Sequence, residues 1–449
     1  MMKDDRKCVM KKKWRWFFLS ILLIILVCVW FYPSCRGLNT TTFITADGVY
    51  SVWPQFTADT VFTQKYFDER CFRSTDMSIG TLDSFVKEWG MSSKAECRDL
   101  YQRFTAMFSV SKRPAPLILP KPFQAKVKNW LGGSEELFQQ VYKQEVTHVF
   151  NRITREYTIF NPLRDKRPIK TPDEPERHYV ERLTVNSKES CDFCNYKNFT
   201  AEHVTHRLES SMSYTASNTF KMEKWHALFM FKKHHPLNWN KAEFMDLMRL
   251  SQEWFKVAHQ RDPIAQYPQM VWDLLPHSGA SQIHPHVHGF LSPHRYHGVV
   301  EAWREGAEEY YRRFNHNYFT DLVSVYSAMG LSVRHKEAVA IANIVPKKDH
   351  EVVILSPTPG ESFFELIYYT LRAFIDDIDK LCFSVGIGLP PLDSHAGVIP
   401  AHARIVTRGA VAEIRTDMSS LELFAGTNVN IDPYKVIKLV RSSIKRRHS

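Results

Sequence analysis

The chain of 449 residues is long enough for two or three domains with a sizeable buried core. Hydrophobic residues make up 44% and charged residues 24% of it, as is ordinary for a folded protein. The net charge of +11 comes largely from runs at the two chain ends, without an interleaved aromatic platform. This distribution argues against nucleic acid as a partner.

The N-terminus begins with a basic tail that is followed by an apolar stretch. Residues 1–15 hold seven Lys or Arg against two Asp, and residues 16–32 (WFFLSILLIILVCVWFY) carry no charge. Seventeen residues are at the short end of a membrane span, and aromatic residues flank this one at both ends. A cleaved signal peptide is the alternative, but residues 31–35 fit a cleavage site poorly. We therefore predict a transmembrane signal-anchor with a cytosolic N-terminus.

The remainder of this single-pass type II membrane protein then lies in the lumen of the secretory pathway or outside the cell. Two weaker signals agree with that side of the membrane. Glycosylation acceptor triplets begin at Asn39 and Asn198. Cys71 and Cys97 could pair as a disulfide in an oxidising compartment.

Residues 33–150 form a membrane-proximal region for which we predict a mainly helical structure. Residues 81–108 and 135–151 have helical spacing of apolar residues, and the proline-rich segment 111–122 between them is typical of a linker. This region contains no motif that indicates chemistry.

From about residue 155 the pattern changes to strands alternating with helices, and the order repeats. The first half is predicted to hold strands at 157–161, 225–231, 271–273 and 284–288, with helices at 241–259 and 301–318. The second half is predicted to hold strands at 339–345, 352–355, 383–387 and 401–407, with helices at 361–381 and 433–444. We therefore predict two similar α+β lobes, over residues 151–325 and 326–449.

Residues 279–290 (GASQIHPHVHGF) form the most informative stretch of the chain. His284, His286 and His288 occupy alternate positions, which places their imidazoles on one face of a strand. A turn of small residues precedes them and allows a backbone to approach a ligand closely. Since imidazole can be a nucleophile, a base or a metal ligand, the pattern indicates phosphate chemistry or metal binding. A histidine-rich surface strand is the alternative.

A second motif, Cys191-x-x-Cys194, precedes the histidine stretch by about ninety residues. Its spacing suits two ligands of one tetrahedral zinc ion. A disulfide between the two cysteines is the alternative, because the predicted lumenal compartment is oxidising.

The motif Gly279-x-Ser281-x-x-His284-Pro285-His286-x-His288 resembles the histidine-triad superfamily, and more closely its two-lobed branch. That branch includes galactose-1-phosphate uridylyltransferase, diadenosine tetraphosphate phosphorylase and GDP-sugar phosphorylases. The resemblance covers roughly residues 155–449 and implies two lobes with antiparallel sheets, of which the second is degenerate. The uridylyltransferase has glutamine where this chain has His288, whereas the triad hydrolases and GDP-sugar phosphorylases have histidine there.

The resemblance implies that His286 attacks the α-phosphorus of a nucleotide sugar or dinucleotide and becomes covalently nucleotidylated. For this attack His286 must be neutral, with its other ring nitrogen donating to a backbone carbonyl. Ser281 and His288 would stabilise the charge that builds up on the phosphoryl oxygens. The substrate-binding residues that the resemblance implies are Arg167, Asn218, Phe220, Asp273, Gly279 and Ser281.

The resemblance also implies a structural zinc ion with four protein ligands. These are Cys191, Cys194, His284 and a histidine that follows the strand at 225–231. We predict His235 for the fourth position, as in the uridylyltransferase, although His234 matches the simpler triad proteins equally well.

These features together predict a nucleotidyltransferase that uses a nucleotide sugar as donor and a sugar phosphate as acceptor. A nucleotide-sugar or dinucleotide phosphorylase or hydrolase, with phosphate or water as acceptor, is the alternative. A further alternative is a catalytically inactive nucleotide-binding protein or a zinc-stabilised scaffold. Proteins of the two-lobed branch are often dimeric, which leaves a homodimer open.

Overall fold

The computed structural model describes most of the chain beyond the predicted anchor; the ranges are 42–45, 48–51, 53–72, 77–166, 174–393, 397–413 and 417–448. The basic tail and the predicted signal-anchor at 16–32 lie outside these ranges, as do Asn39 and Arg167. Within these ranges, no helix is both long and apolar enough to cross a membrane.

The first part of the described chain is a short hairpin followed by three helices. The elements are β1 (Thr42–Thr45), β2 (Gly48–Ser51), α1 (Gln64–Arg70), α2 (Leu82–Met91) and α3 (Ala95–Met107). The single helix predicted at 81–108 is therefore two, because Ser92 adopts an extended backbone between them. The predicted pair Cys71–Cys97 is a disulfide that ties the end of α1 to α3.

The next part mixes helices with strands. Its elements are β3 (Phe108–Pro114), α4 (Lys121–Trp130), α5 (Glu135–Tyr142), β4 (Glu145–Asn151) and β5 (Tyr157–Phe160). The helix predicted over 135–151 is wrong beyond Tyr142. Residues 145–151 (EVTHVFN) bury alternate side chains, and their β-branched residues favour a strand that pairs with β3 and β5.

The first lobe follows, and it holds both motifs singled out from the sequence. Its elements are α6 (Glu176–Lys188), α7 (Tyr196–Phe199), β6 (Ser213–Ser217), β7 (Trp225–Phe231), α8 (Lys241–Arg261), β8 (Tyr267–Leu274), β9 (His286–Ser292), α9 (Gly298–Phe314) and α10 (Tyr318–Ala328). Helix α8 starts at a capping box of Asn240 and Glu243, which satisfies two free backbone donors. Its apolar side packs on β6 and β7.

The second lobe repeats this order of strands and helices. Its elements are β10 (Ser332–His335), β11 (Ala338–Ala342), β12 (Val352–Ser356), α11 (Glu361–Arg372), β13 (Phe383–Gly388), β14 (Ala401–Thr407), β15 (Gly426–Val429) and α12 (Pro433–His448). Strand β15 does not join the sheet of this lobe. It pairs in parallel with β5, at the edge of a separate four-stranded sheet.

The two lobes share one nine-stranded antiparallel sheet in the order β10-β11-β12-β14-β13-β8-β9-β7-β6. Strands β6-β7-β9-β8 of the first lobe and β11-β12-β14-β13 of the second have the same order, and β8 pairs with β13 at the junction. The α+β class with antiparallel sheets is confirmed. The repeat also makes β14 the counterpart of the histidine strand β9.

A network of charges joins the second lobe to the β4–β5 region. The Arg404 guanidinium on β14 lies 2.7 Å from Glu156 and 2.7 Å from Glu351, two carboxylates that expose 5% and none of their side-chain surface. Burial alone would raise the pKa of Glu156. The positive charges of Arg404 and Lys347 have the larger effect, so the pKa of Glu156 is lowered. The guanidinium is therefore the shared partner of two buried carboxylates, and Lys347 adds a second cation beside Glu156.

We expect Arg404→Met to lower the free energy of unfolding by about 3 kcal/mol, because it leaves two buried carboxylates without their main partner. Urea unfolding monitored by circular dichroism measures the effect. Arg313→Met is the matched control, since Arg313 and its partner Glu309 are both more than half exposed. That surface pair contributes at most about 1 kcal/mol, and an equal loss from both variants would contradict the role assigned to Arg404.

Candidate active site and metal cluster

Strand β9 places two of the three motif histidines on an interior strand of the sheet. It lies between β7 and β8, where His286 pairs with Met230 and His288 pairs with Leu228. The rings of the two histidines are 5.2 Å apart between centroids. His284 precedes the strand, so its ring is free to turn away from these two.

The buried His286 imidazole is held in one tautomer. Its Nδ1 lies 2.9 Å from the His284 carbonyl oxygen and donates its proton there. Burial lowers the pKa of His286, which keeps the ring neutral. Among the described residues none hydrogen-bonds to its Nε2, which therefore presents a lone pair. This is the arrangement that a histidine nucleophile requires.

A relay of hydrogen bonds fixes the neighbouring His288 as well. The Met222 backbone N–H donates to His226 Nδ1 at 3.2 Å, so the proton of the neutral His226 ring is on Nε2. His226 Nε2 then donates to His288 Nδ1 at 2.9 Å. The proton of His288 is consequently on Nε2. Burial is the main reason that the pKa values fall to about 4 for His226 and about 3 for His288, so both rings stay neutral.

His226 is a site residue that the sequence analysis missed. It lies in the apolar strand β7 (WHALFMF), and its side chain is fully buried. The sequence feature that could have indicated its role is a single histidine within an apolar strand. Its meaning depends on the register between β7 and β9, which local sequence does not encode.

Asn218 and Asp273 border the histidines on two sides. Asn218 accepts the Phe220 backbone N–H at 2.8 Å, and its amide nitrogen lies 3.4 Å from His226 Nε2. Asp273 on β8 is close enough to influence the charge of His286 and accepts a hydrogen bond from Ser384 of the second lobe at 2.5 Å. The Phe220 side chain is 88% exposed and packs on neither histidine.

The small-residue turn before the histidines is an open loop. Gly279 has φ +113°, a left-handed conformation that side chains rarely adopt, and this explains the glycine. Ser281 is exposed and forms no hydrogen bond with another described residue. The structure therefore brings together His286, His288 and Asn218, whereas Ser281 and Phe220 stay in solvent-facing loops.

Four side chains gather where His284 meets the loop before α7. Ligand atoms of Cys191, Cys194, His234 and His284 all lie within 4.8 Å of one another. His284 Nδ1 is 3.6 Å from each sulfur, and His234 Nδ1 is 3.3 Å from Cys194 Sγ. Tetrahedral zinc with ordinary bond lengths separates its sulfur and nitrogen ligands by about 3.6 Å. The sulfur–nitrogen distances in this cluster therefore fit a metal ion.

The remaining ring nitrogens support the same conclusion. His284 Nε2 donates to the Phe231 carbonyl at 2.7 Å, and His234 Nε2 lies 3.1 Å from the Thr184 carbonyl. Metal-bound histidines usually donate their second N–H to such a group, which fixes the tautomer and the ring orientation. Both cysteines are free thiols in the structure. The four residues thus form a Cys2His2 cluster that could hold a metal ion.

The fourth member of this cluster corrects the prediction of His235. Strand β7 ends at Phe231, and the turn after it directs His234 inward under α6, where it is 8% exposed. His235 points the other way: its Nε2 lies 3.1 Å from Glu181, and its Nδ1 accepts the Leu237 backbone N–H. Neither of its nitrogens reaches the sulfurs.

No protein-family model matches the sequence, and no curated protein matches it. Among solved structures, an ADP-glucose phosphorylase from Arabidopsis thaliana with bound ADP-glucose is similar over 66% of this chain and 98% of its own. The TM-score is 0.52 and the identity is 14%. The chain shares this fold. The predicted resemblance to the two-lobed branch is confirmed at the level of the fold.

Two further structures are similar at lower TM-scores. A GalT-like protein from Arabidopsis thaliana matches over 56% of this chain and 92% of its own, with 14% identity and a TM-score of 0.47. A uridylyltransferase matches over 66% and 98%, with 13% identity and a TM-score of 0.46. At such identities a common fold does not define a common reaction.

Proposed function

We propose that the protein transfers a nucleotidyl group from a nucleotide sugar through a covalent nucleotidyl-His286 intermediate. The observation that carries this proposal is the bond from His286 Nδ1 to the His284 carbonyl. It holds a neutral imidazole in a rigid strand with the Nε2 lone pair available. Such pre-organisation is what a histidine nucleophile needs.

The reaction proceeds in two displacements. His286 Nε2 attacks the α-phosphorus, a P–N bond forms, and the bond to the leaving sugar phosphate breaks. An oxygen of the acceptor then attacks the same phosphorus, the P–N bond breaks, and neutral His286 is regenerated. Splitting one displacement into two lets donor and acceptor use the same site in turn.

His288 stabilises the charge that develops during both steps. The relay through His226 leaves the His288 Nε2–H available as a donor to a phosphoryl oxygen. A glutamine amide at this position also presents an N–H. The presence of histidine at position 288 is therefore compatible with nucleotidyl transfer.

The acceptor separates the proposed transferase from its runner-up, a nucleotide-sugar phosphorylase. The observation that favours the runner-up is the fold shared with an ADP-glucose phosphorylase. The deciding experiment incubates the purified protein with UDP-glucose or ADP-glucose, and with galactose 1-phosphate, phosphate or no acceptor. Turnover that needs galactose 1-phosphate supports the transferase, and turnover that needs phosphate supports the phosphorylase. Equal turnover without an acceptor indicates a hydrolase, and nucleotide binding without any turnover indicates an inactive protein.

We expect His226→Ala to lower kcat by about 10- to 100-fold, because His288 loses the partner that fixes its tautomer. His226→Gln should recover much of the loss, since its amide N–H can donate to His288 Nδ1. Steady-state kinetics measures both, and nitrogen NMR of labelled histidine reports the tautomer of His288. A His226→Ala enzyme that is less stable but has an unchanged kcat and His288 tautomer would refute the positioning role.

We propose that the Cys2His2 cluster binds one structural zinc ion. With four protein ligands, the ion has no open position for substrate. When bound, it crosslinks the 191–194 loop to the histidine strand. Through His284, whose carbonyl accepts from His286, this crosslink sets the position of the nucleophile.

We further propose a lumenal or extracellular location, with residues 16–32 as the anchor. The disulfide Cys71–Cys97 supports this location, because such bonds persist in oxidising compartments. Asn198 supports it too, because it is exposed and accessible to a glycan. Protease protection of the full chain in microsomes, together with endoglycosidase treatment, tests both parts. Digestion of the body without detergent would refute the location.

A further inference from the structure

Asp273 is a carboxylate on the strand beside the proposed nucleophile. Strands β8 and β9 pair with Val271 opposite His288. Residues directly opposite in an antiparallel pair share one face of the sheet, and so do residues two positions apart along one strand. Two positions further along this register Asp273 is opposite His286, so both side chains are on the same face of the sheet.

The negative charge of Asp273 acts on the His286 ring. Burial lowers the pKa of His286, and the Asp273 carboxylate opposes that effect because it favours the cationic form of the ring. Asp273 accepts its hydrogen bond from a neutral group, the Ser384 hydroxyl at 2.5 Å. Among the residues that the structure describes, no lysine or arginine forms an ion pair with it. The charge of the carboxylate is therefore available to the imidazole.

The second lobe holds this carboxylate in place. Ser384 lies opposite Asp273 in the pairing of β13 with β8. The Arg408 guanidinium donates to Ser384 Oγ at 3.0 Å, which directs the hydroxyl proton of Ser384 toward Asp273. Arg408 is itself fixed by two bonds to Asp417, at 2.8 and 2.7 Å. This chain of bonds positions the Asp273 carboxylate from the other lobe.

The proposed reaction creates a positive charge on the ring that Asp273 faces. While His286 Nε2 bonds to phosphorus, Nδ1 keeps the proton that it donates to the His284 carbonyl. The nucleotidylated ring is then a cation, and the electron pair of the broken P–O bond leaves with the sugar phosphate, which gains one negative charge. A carboxylate on the same face lowers the free energy of this cation relative to the neutral ring.

We propose that Asp273 stabilises the positive charge of the nucleotidyl-His286 intermediate, and that Ser384 and Arg408 are its positioning residues. This role rests on the nucleotidyl transfer proposed for His286. The carboxylate also repels the anionic diphosphate of the bound donor, so it favours the intermediate over the donor complex for two reasons. An amide in its place should therefore weaken the intermediate without weakening nucleotide binding.

The equilibrium between the intermediate and the free enzyme tests this role in the full-length protein. The protein is mixed with UDP-glucose or ADP-glucose labelled in the α-phosphate and with increasing glucose 1-phosphate, which reverses the labelling. We expect Asp273→Asn, which keeps an acceptor for Ser384, to lower the equilibrium constant of labelling by about tenfold or more. The Kd of UDP or ADP, measured by calorimetry, should stay equal or fall. Ser384→Ala should lower the equilibrium constant less, since the charge remains but is no longer held.

Asp246→Asn is the matched control. Asp246 is a half-buried carboxylate of the same lobe that also accepts from serine hydroxyls, but it lies on α8, which packs on the other face of the sheet. This variant should leave the equilibrium constant unchanged.

Three results would overturn the role of Asp273. They are an unchanged equilibrium constant in Asp273→Asn, an equal fall in Asp246→Asn, and a rise in the Kd of the nucleotide that matches the fall. An unchanged constant in Ser384→Ala would overturn the positioning by the second lobe. A wild-type protein that is never labelled gives a different result, because it refutes nucleotidyl transfer itself and this role with it.

Discussion

His286→Ala is expected to abolish covalent labelling by a nucleotide sugar and to lower kcat/KM by about 10⁴-fold or more. The side chain supplies the atom that bonds to phosphorus, so no neighbouring group replaces it within the same geometry. His288 Nε2 carries a proton because His226 occupies its Nδ1, and it therefore has no lone pair to offer. Incubation with nucleotide sugar radiolabelled in the α-phosphate, followed by denaturing electrophoresis, measures the intermediate.

The second lobe provides a matched control for this experiment. His402 on β14 pairs with Leu355 as His286 on β9 pairs with Met230, and its Nδ1 lies 3.1 Å from the Pro400 carbonyl. Its Nε2, however, is buried and has no hydrogen-bond partner among the residues that the structure describes. His402→Ala should therefore destabilise the fold while labelling per folded molecule stays unchanged. Labelling that survives in His286→Ala and disappears in His402→Ala would place the nucleophile in the other lobe.

The sequence predicted those parts of the site that depend on residues only a few positions apart in the chain. Alternate histidines place His286 and His288 on one strand, and a Cys-x-x-Cys spacing brings two sulfurs to one point. The repeated order of strands and helices predicted two lobes, and the structure adds that their strands form a single sheet. In each case the information lies within a few residues or in the order of elements.

The parts that sequence did not predict depend on contacts between distant elements. His226 acquires its role only through the register of β7 against β9. Residues 145–151 have a helix-compatible spacing, and their partners β3 and β5 decide for a strand. Adjacent histidines after a strand cannot both point inward. Which one does so depends on the turn and on α6, whose Thr184 carbonyl meets His234.

Because His234 points toward the cluster and His235 points away from it, substitutions at these two neighbouring residues should have opposite effects. We expect His234→Ala to lose zinc and to lower the free energy of unfolding by well over about 3 kcal/mol, since a structural metal ion contributes directly to folding. His235→Ala should keep one zinc per chain and nearly all of the stability, because it removes only a partly exposed contact with Glu181. Metal analysis of the two purified proteins and their thermal unfolding measure both outcomes.

The chemistry of the two cysteines explains why the metal should matter so much. Burial and the neighbouring Cys191 raise the pKa of the Cys194 thiol to about 11, so a thiolate there needs a cation beside it. Without the ion, two free thiols three residues apart in the proposed oxidising compartment are open to disulfide formation, which would pull them away from His284. Because the His284 carbonyl orients His286, chelation should lower nucleotidyl transfer together with stability. A wild-type protein that is stable and active without zinc, or one in which His235→Ala releases the metal, would refute this arrangement.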